Sequence, residues 1–147
     1  MEFEIKKGIL DRQIDQLIEY SLNDESVGKF TSDRERFKNR QAFEGWQQKG
    51  REIFTLNNNN NLVGIVWTGL KEKQIGGKKY NKTFAIRIYG EARGKGLALG
   101  FMRSCIKEKG YWLETSNDNL AAKALYSKFG FKEVSKVDEN GKIIMIY

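Results

Sequence analysis

The chain has 147 residues, a formal net charge of +7, no histidine and a single cysteine; at this length one domain buries a real core and a second has no room. Lack of histidine excludes histidine-based zinc sites and Ser-His or Cys-His triads, and one cysteine gives neither an internal disulfide nor a cysteine cluster for a metal. No apolar run approaches the ~20 residues that span a membrane, and the start of the chain does not read as a signal peptide, so a soluble cytoplasmic protein is the expectation.

In chain order, Phe3 and Ile5 mark a short first strand, and Ile14, Leu17 and Ile18 give the stretch Ile9 to Leu22 helical spacing. Ser32 with Glu35 three residues later reads as a helix start for Asp33 to Lys49, where Phe37, Phe43 and Trp46 share a face. Arg51 to Leu56 and Leu62 to Leu70 are strand-like, and the asparagines Asn57 to Asn61 between them tolerate left-handed backbone, which predicts a hairpin loop. The lysine-rich piece from Lys71 to Lys82, around Gly76-Gly77, is expected to be a flexible connection. Thr83 to Tyr89 is the next strand, Leu97 to Lys109 the next helix and Tyr111 to Thr115 another strand. A right-handed crossover lays the last of these parallel to the first. Asn119 to Phe129 forms a helix ended by Gly130, and Phe131 to Val137 with Lys142 to Tyr147 close the chain as a hairpin around Glu139-Asn140-Gly141. Cys105 falls at an apolar position of its helix and reads as core packing.

Charge is unevenly placed: residues 1 to 50 hold nine Lys/Arg against ten Asp/Glu, whereas residues 51 to 147 hold seventeen against nine. The basic half contains Arg93-Gly94-Lys95-Gly96-Leu97-Ala98, a glycine-rich turn that ends a strand and opens a helix. The first N–H groups of such a helix lack partners and converge where the dipole favours an anion. Gly94 and Gly96 let a phosphate approach the backbone, and Arg93 and Lys95 add charge at the mouth.

This turn resembles the Arg/Gln-x-x-Gly-x-Gly/Ala motif of the GNAT superfamily of acyl-CoA-dependent N-acyltransferases, read as Arg93, Gly96 and Ala98. Downstream, Asn119-x-x-Ala122-x-x-Leu125-Tyr126-x-Lys128-x-Gly130-Phe131 is similar to the family's second recurrent pattern, at the usual distance. The resemblance covers roughly residues 50 to 147. It implies a single-domain α/β fold with a mixed sheet of about six to seven strands flanked by about four helices, with acetyl-CoA as co-substrate and no metal. The pyrophosphate then rests on Gly94 to Ala98 beside Arg93, and backbone groups of Ile88 and Tyr89 pair with the pantetheine arm, which acts as an added strand. Asn119 caps its helix while reaching the same arm, and Lys128 reaches a ribose phosphate.

The implied reaction is attack of a neutral primary amine on a thioester. It needs a proton removed from the ammonium, an oxyanion stabilised and the departing thiolate protonated. Tyr126 matches the tyrosine that commonly serves as general acid; packing of the helix onto the sheet is the other reading of that residue. Glu114, in Leu113-Glu114-Thr115-Ser116-Asn117-Asp118-Asn119, looks like the segment of the branch that acetylates the N-terminal amine of ribosomal proteins, where the glutamate is a proposed general base. That branch has Arg and Ser where this chain has Ser116 and Asp118, which separates the activity class from that particular acceptor. An exposed charge, or a partner for Arg87, is the alternative for Glu114. The acceptor is a peptide α-amine or a small-molecule amine, among them polyamines, amino acids and aminoglycosides; a homodimer is compatible with the sequence.

Other classes fit the chain less well. Gly94-x-Gly96-x-x-x-Gly100 with Glu114 beyond it partly imitates a dinucleotide site, but the chain after Gly100 is too short for a doubly wound domain. A P-loop lacks its Ser or Thr after Lys95. A non-catalytic acyl-CoA sensor needs neither Glu114 nor Tyr126 at the thioester. A nucleic-acid-binding domain fits the charge but has no recognised motif in the chain.

Overall fold

A computed structural model describes residues 2–147. Strands β1 (Glu4–Lys7), β2 (Glu52–Asn58), β3 (Asn61–Ile75), β4 (Lys78–Ile88), β5 (Tyr111–Ser116), β6 (Lys132–Glu133) and β7 (Lys142–Ile146) form one sheet in the order β1-β2-β3-β4-β5-β7-β6. All neighbours are antiparallel except β4 and β5, which run parallel. Helices α1 (Asp11–Asn23), α2 (Glu25–Phe30), α3 (Asp33–Arg36) and α4 (Arg40–Gln47) pack on one face, and α5 (Leu97–Cys105) and α6 (Leu120–Phe129) on the other. The mixed α/β architecture with seven strands is the expected one, with six helices in place of about four.

Alternation along the strands sorts the core into two layers. Phe84 and Ile86 of β4 join Phe101, Met102, Ile143 and Met145 beneath α5 and α6. Tyr89, Ile65 and Trp67 join Leu17, Phe37, Phe43 and Trp46 beneath α1 to α4. Since β3 is covered on both faces, its first half reads as a continuous apolar run. Cys105 is buried in the first layer as expected, and burial pushes its thiol up to about 12.

Four local readings are corrected by the structure. The stretch Asp33 to Lys49 is two helices: Phe37 turns into the aromatic cluster with Trp46 and Trp67, and Asn39 starts α4 afresh by accepting from the Ala42 N–H at 2.8 Å. Asp24 caps a separate helix, α2, through the Val27 N–H. The segment from Lys71 to Lys82 is not a loose connection; β3 and β4 continue as a hairpin with Ile75 opposite Lys78, turning on Gly76 and Gly77 at φ of 59° and 80°. Finally, α5 stops at Cys105 and β6 shrinks to two residues. The asparagine tract does form the hairpin, but its turn is only Asn59 and Asn60, at φ of 51° and 67°.

Candidate functional site

Parallel pairing of β4 and β5 is brief: Lys82 and Thr83 lie opposite Tyr111 and Trp112, and beyond them the strands diverge. The divergence leaves backbone groups without a strand partner. Tyr89 donates to Val63 O on β3 at 2.8 Å, so by the two-residue alternation of an antiparallel ladder the N–H and C=O of Ile88 face away from β3, into the gap. A cleft of about 710 Å³ follows this seam and opens on both faces of the sheet. Cavities of this size take drug-sized ligands.

At one end of the cleft the chain leaves β4 through a short 3-10 turn, Gly90–Ala92, and enters α5 across Gly94 and Gly96 at φ of 76° and 71°. Gly96 is the N-cap and supplies no side chain, so no cap covers the first N–H groups of α5. The space above both glycines is open, and Leu97 and Ala98 continue the wall. Lys95 is exposed at this mouth. Arg93 turns the other way: its guanidinium donates to Ile88 O at 3.2 and 3.0 Å and to Asp24 Oδ2 at 2.9 Å. It fastens the turn to the N-cap of α2 and thereby occupies the carbonyl of Ile88, leaving the Ile88 N–H for a ligand.

Tyr126, on α6, meets Phe84 edge-on at 6.4 Å and lines the middle of the cleft. Among the described residues two side-chain polar atoms are both sealed from solvent and unpaired, Arg51 Nε and Tyr89 Oη. The Tyr126 hydroxyl has no hydrogen bond among the described residues and is not sealed, so it opens into the cleft. Burial raises its pKa above the ordinary tyrosine value, with a partial offset from the Arg87 charge, so the phenol keeps its proton at neutral pH. Asn119 caps α6 by accepting from the Ala122 N–H at 3.2 Å, and it also borders the cleft.

Glu114 stands on β5 opposite Ile144, exposed on the cleft wall and without an ion-pair partner among the described residues. Arg87 is not its partner. The Arg87 guanidinium donates to the fully buried Asp33 at 2.7 and 3.2 Å, and Asp33 accepts from Arg36 as well. Two expected site residues lie elsewhere. Tyr89 is fully buried on the α1 to α4 side, stacked on Tyr20, with its N–H given to Val63 and its C=O taken by Ala92. Lys128 is exposed on α6 and does not border the cleft.

The profile of the acetyltransferase (GNAT) family matches residues 15–131. The chain belongs to that family. No curated protein matches the GNAT chain in sequence. Among solved structures, a putative acetyltransferase from Acinetobacter baylyi ADP1 is similar at a TM-score of 0.75 and 18% identity, over 98% of this chain and 90% of that one. A ribosomal-protein-alanine N-acetyltransferase from Brucella melitensis is similar at 0.72 and 17%, over 98% and 99%. An aminoglycoside acetyltransferase in complex with coenzyme A is similar at 0.69 and 14%, over 98% and 94%. At these identities the likeness establishes the GNAT fold.

At the far end of the cleft lie Arg36, Trp46, Arg51, Trp67 and Arg87; the sequence reading took the two tryptophans as core packing and Arg87 only as a partner for Glu114, and it gave Arg36 and Arg51 no place in a site. Strand parity was the available signal for Arg87, since Phe84, Ile86 and Ile88 inward on one face put Arg87 on the other. Nothing in the sequence ties Arg36 or Arg51 to it, because α3 and the approach to β2 meet only through the fold.

Proposed function

We propose that the protein is an N-acetyltransferase that moves acetyl from acetyl-CoA to a primary amine by direct attack. The observation that carries this reading is the seam between β4 and β5, which opens directly onto the uncapped N-terminus of α5. A phosphate-rich, extended thioester matches both halves: an anion for the N–H groups of Gly94, Lys95, Gly96, Leu97 and Ala98, and a strand-like arm for the freed N–H of Ile88. Acetyl-CoA is the acyl donor, and its thioester is the activated carbonyl.

In this account Asn119 borders the arm, Lys95 contributes surface charge near the phosphates, and Lys128 has no part in the site. Arg93 positions the turn and the end of β4 and does not itself grip phosphate. Tyr126 donates its phenolic proton to the departing sulfur. Its pKa exceeds a thiol's of about 8.5, so the transfer occurs late, once negative charge has accumulated on sulfur. Glu114, exposed on the wall, accepts the proton of the ammonium through water. Tyr89 has no part in donor binding.

Acetyl transfer to a panel of primary amines, followed by thiol release and by mass of the product, tests the reading. Acetylation of an amine that slows in both Tyr126→Phe and Glu114→Gln supports it. A folded protein that binds acetyl-CoA yet acetylates no primary amine would make the cleft a sensor.

A further inference from the structure

The arm of the cleft beyond Tyr126 is built from charge and indole. Arg51 precedes β2 and lays its side chain on Gly69, where a Cβ would collide with Nη1. Gly69 pairs with Thr83, and Thr83 with Trp112, so Arg51, Thr83 and Trp112 form one row across the sheet, with Glu114 two residues further along β5. The Arg51 guanidinium lies 5.6 Å from the Trp46 ring centroid, Arg36 lies 5.5 Å from that of Trp67, and Arg87 4.9 Å from the same ring. Arg36 and Arg87 share Asp33. Arg51 shares nothing: it has no hydrogen bond and no ion pair among the described residues, and its Nε is sealed from solvent. Burial and the neighbouring Arg36 charge push its pKa below the ordinary arginine value, so the charge is held where it is disfavoured. Lys71 and Lys142, on the same cleft wall, also lack ion-pair partners among the described residues.

An arginine kept in a cleft without a counter-ion, with a second arginine beside it and an indole beneath it, is a recognition fork for an oxyanion. On the acetyltransferase reading, which this inference requires only for the role of the amine, the donor's phosphates belong at the opposite end, on α5. We propose that the acceptor is a primary amine that carries a carboxylate, a free amino acid in its simplest form, held with the carboxylate on Arg51 and the amine toward Glu114. The same field works against polycationic acceptors such as polyamines and aminoglycosides, since Arg36 and Arg87 have one carboxylate between them and Arg51 has none.

Binding to the protein–coenzyme A complex tests this without turnover, because Trp46, Trp67 and Trp112 line the arm and report occupancy by fluorescence. The probes are the common L-amino acids, each with its carboxamide and its decarboxylated amine, together with phosphoethanolamine and spermidine. A charged hydrogen-bonded contact of this kind corresponds to a preference of at least about tenfold. The expected result is an amino acid that binds at least about tenfold more tightly than its carboxamide, with the preference lost in Arg51→Gln and partly kept in Arg51→Lys. A carboxamide or decarboxylated amine that binds as well as the acid in the native protein overturns the proposal, whatever the variants do. Tighter binding of phosphoethanolamine or spermidine overturns it as well. Carboxylate-selective binding with no acetyl transfer upholds this site and refutes the acetyltransferase reading instead.

Discussion

Replacing Asp33 by Ala is expected to destabilise the fold more than any other single change to a charged residue. Asp33 is fully buried and accepts two hydrogen bonds from Arg87, whose own side chain is only 15% exposed, and one from Arg36. Its loss strands the Arg87 guanidinium against the sheet with no counter-charge, and breaking such a pair from one side costs about 3–5 kcal/mol. Arg36, at 31% exposure, is solvated in compensation and adds little. For a chain of 147 residues the loss corresponds to a fall in Tm of roughly 10–15 °C, at about 3 °C per kcal/mol. Urea unfolding followed by tryptophan fluorescence gives the free energy directly, with the slope m unchanged. Removing both partners in Asp33→Leu with Arg87→Met is expected to recover most of the loss, because apolar groups of similar size can replace a buried pair. A loss below about 1 kcal/mol for Asp33→Ala would refute the view that this pair is desolvated.

Three further outcomes follow from the same geometry. Tyr126→Phe is expected to lower kcat by about tenfold to a hundredfold at unchanged donor affinity, and to leave stability within about 1 kcal/mol because the hydroxyl has no protein partner to lose; equal kcat in steady-state kinetics would remove Tyr126 from the chemistry. Gly69→Ala is expected to displace the flexible end of Arg51 through contact with Nη1, changing stability by less than about 1 kcal/mol while weakening carboxylate binding in the tryptophan fluorescence titration, and unchanged carboxylate binding would show that Arg51 keeps its seat. Cys105 is protonated in the folded state up to about 12, while the unfolded thiol ionises near 8.5. Its contribution is therefore complete below about pH 8.5 and is lost as pH rises toward 12, so Cys105→Ala is expected to flatten the alkaline decline of stability, and thiol alkylation at pH 8 to be slow unless denaturant is added.

What the sequence revealed, and what it hid, divides along the range of the interactions. The glycine turn, the strand that feeds it and the helix that leaves it are local, set by Gly94, Gly96 and the apolar spacing on either side, and they were readable in place. So was the parallel pairing of β4 with β5, which follows from the strand-helix-strand crossover, whereas its brevity, with only Lys82 and Thr83 paired, appears only in the fold. The β3–β4 hairpin beyond Leu70 was misread since both its faces meet water and no alternation survives there. The adjacent Gly76-Gly77 was still a sound two-residue turn signal. The stretch Asp33 to Lys49 looked continuous because Phe37, Phe43 and Trp46 keep helical spacing, yet the pull of the aromatic cluster on Phe37 and the cap at Asn39 break it. Arg93 carries the family motif but faces Asp24, a partner 69 residues away that no local pattern supplies. The arginines of the acceptor arm come from three separate segments, and only the fold assembles them.

The turn from Gly94 to Ala98 is expected to seat the phosphates of acetyl-CoA on its free N–H groups. Calorimetric titration of acetyl-CoA into the native protein and into Gly96→Glu, with folding of both checked by circular dichroism, tests it most directly. Saturable micromolar binding is expected of the native chain and none of the variant, whose carboxylate stands where the anion belongs. Absence of binding by the folded native protein, or equal binding by the folded variant, would contradict it.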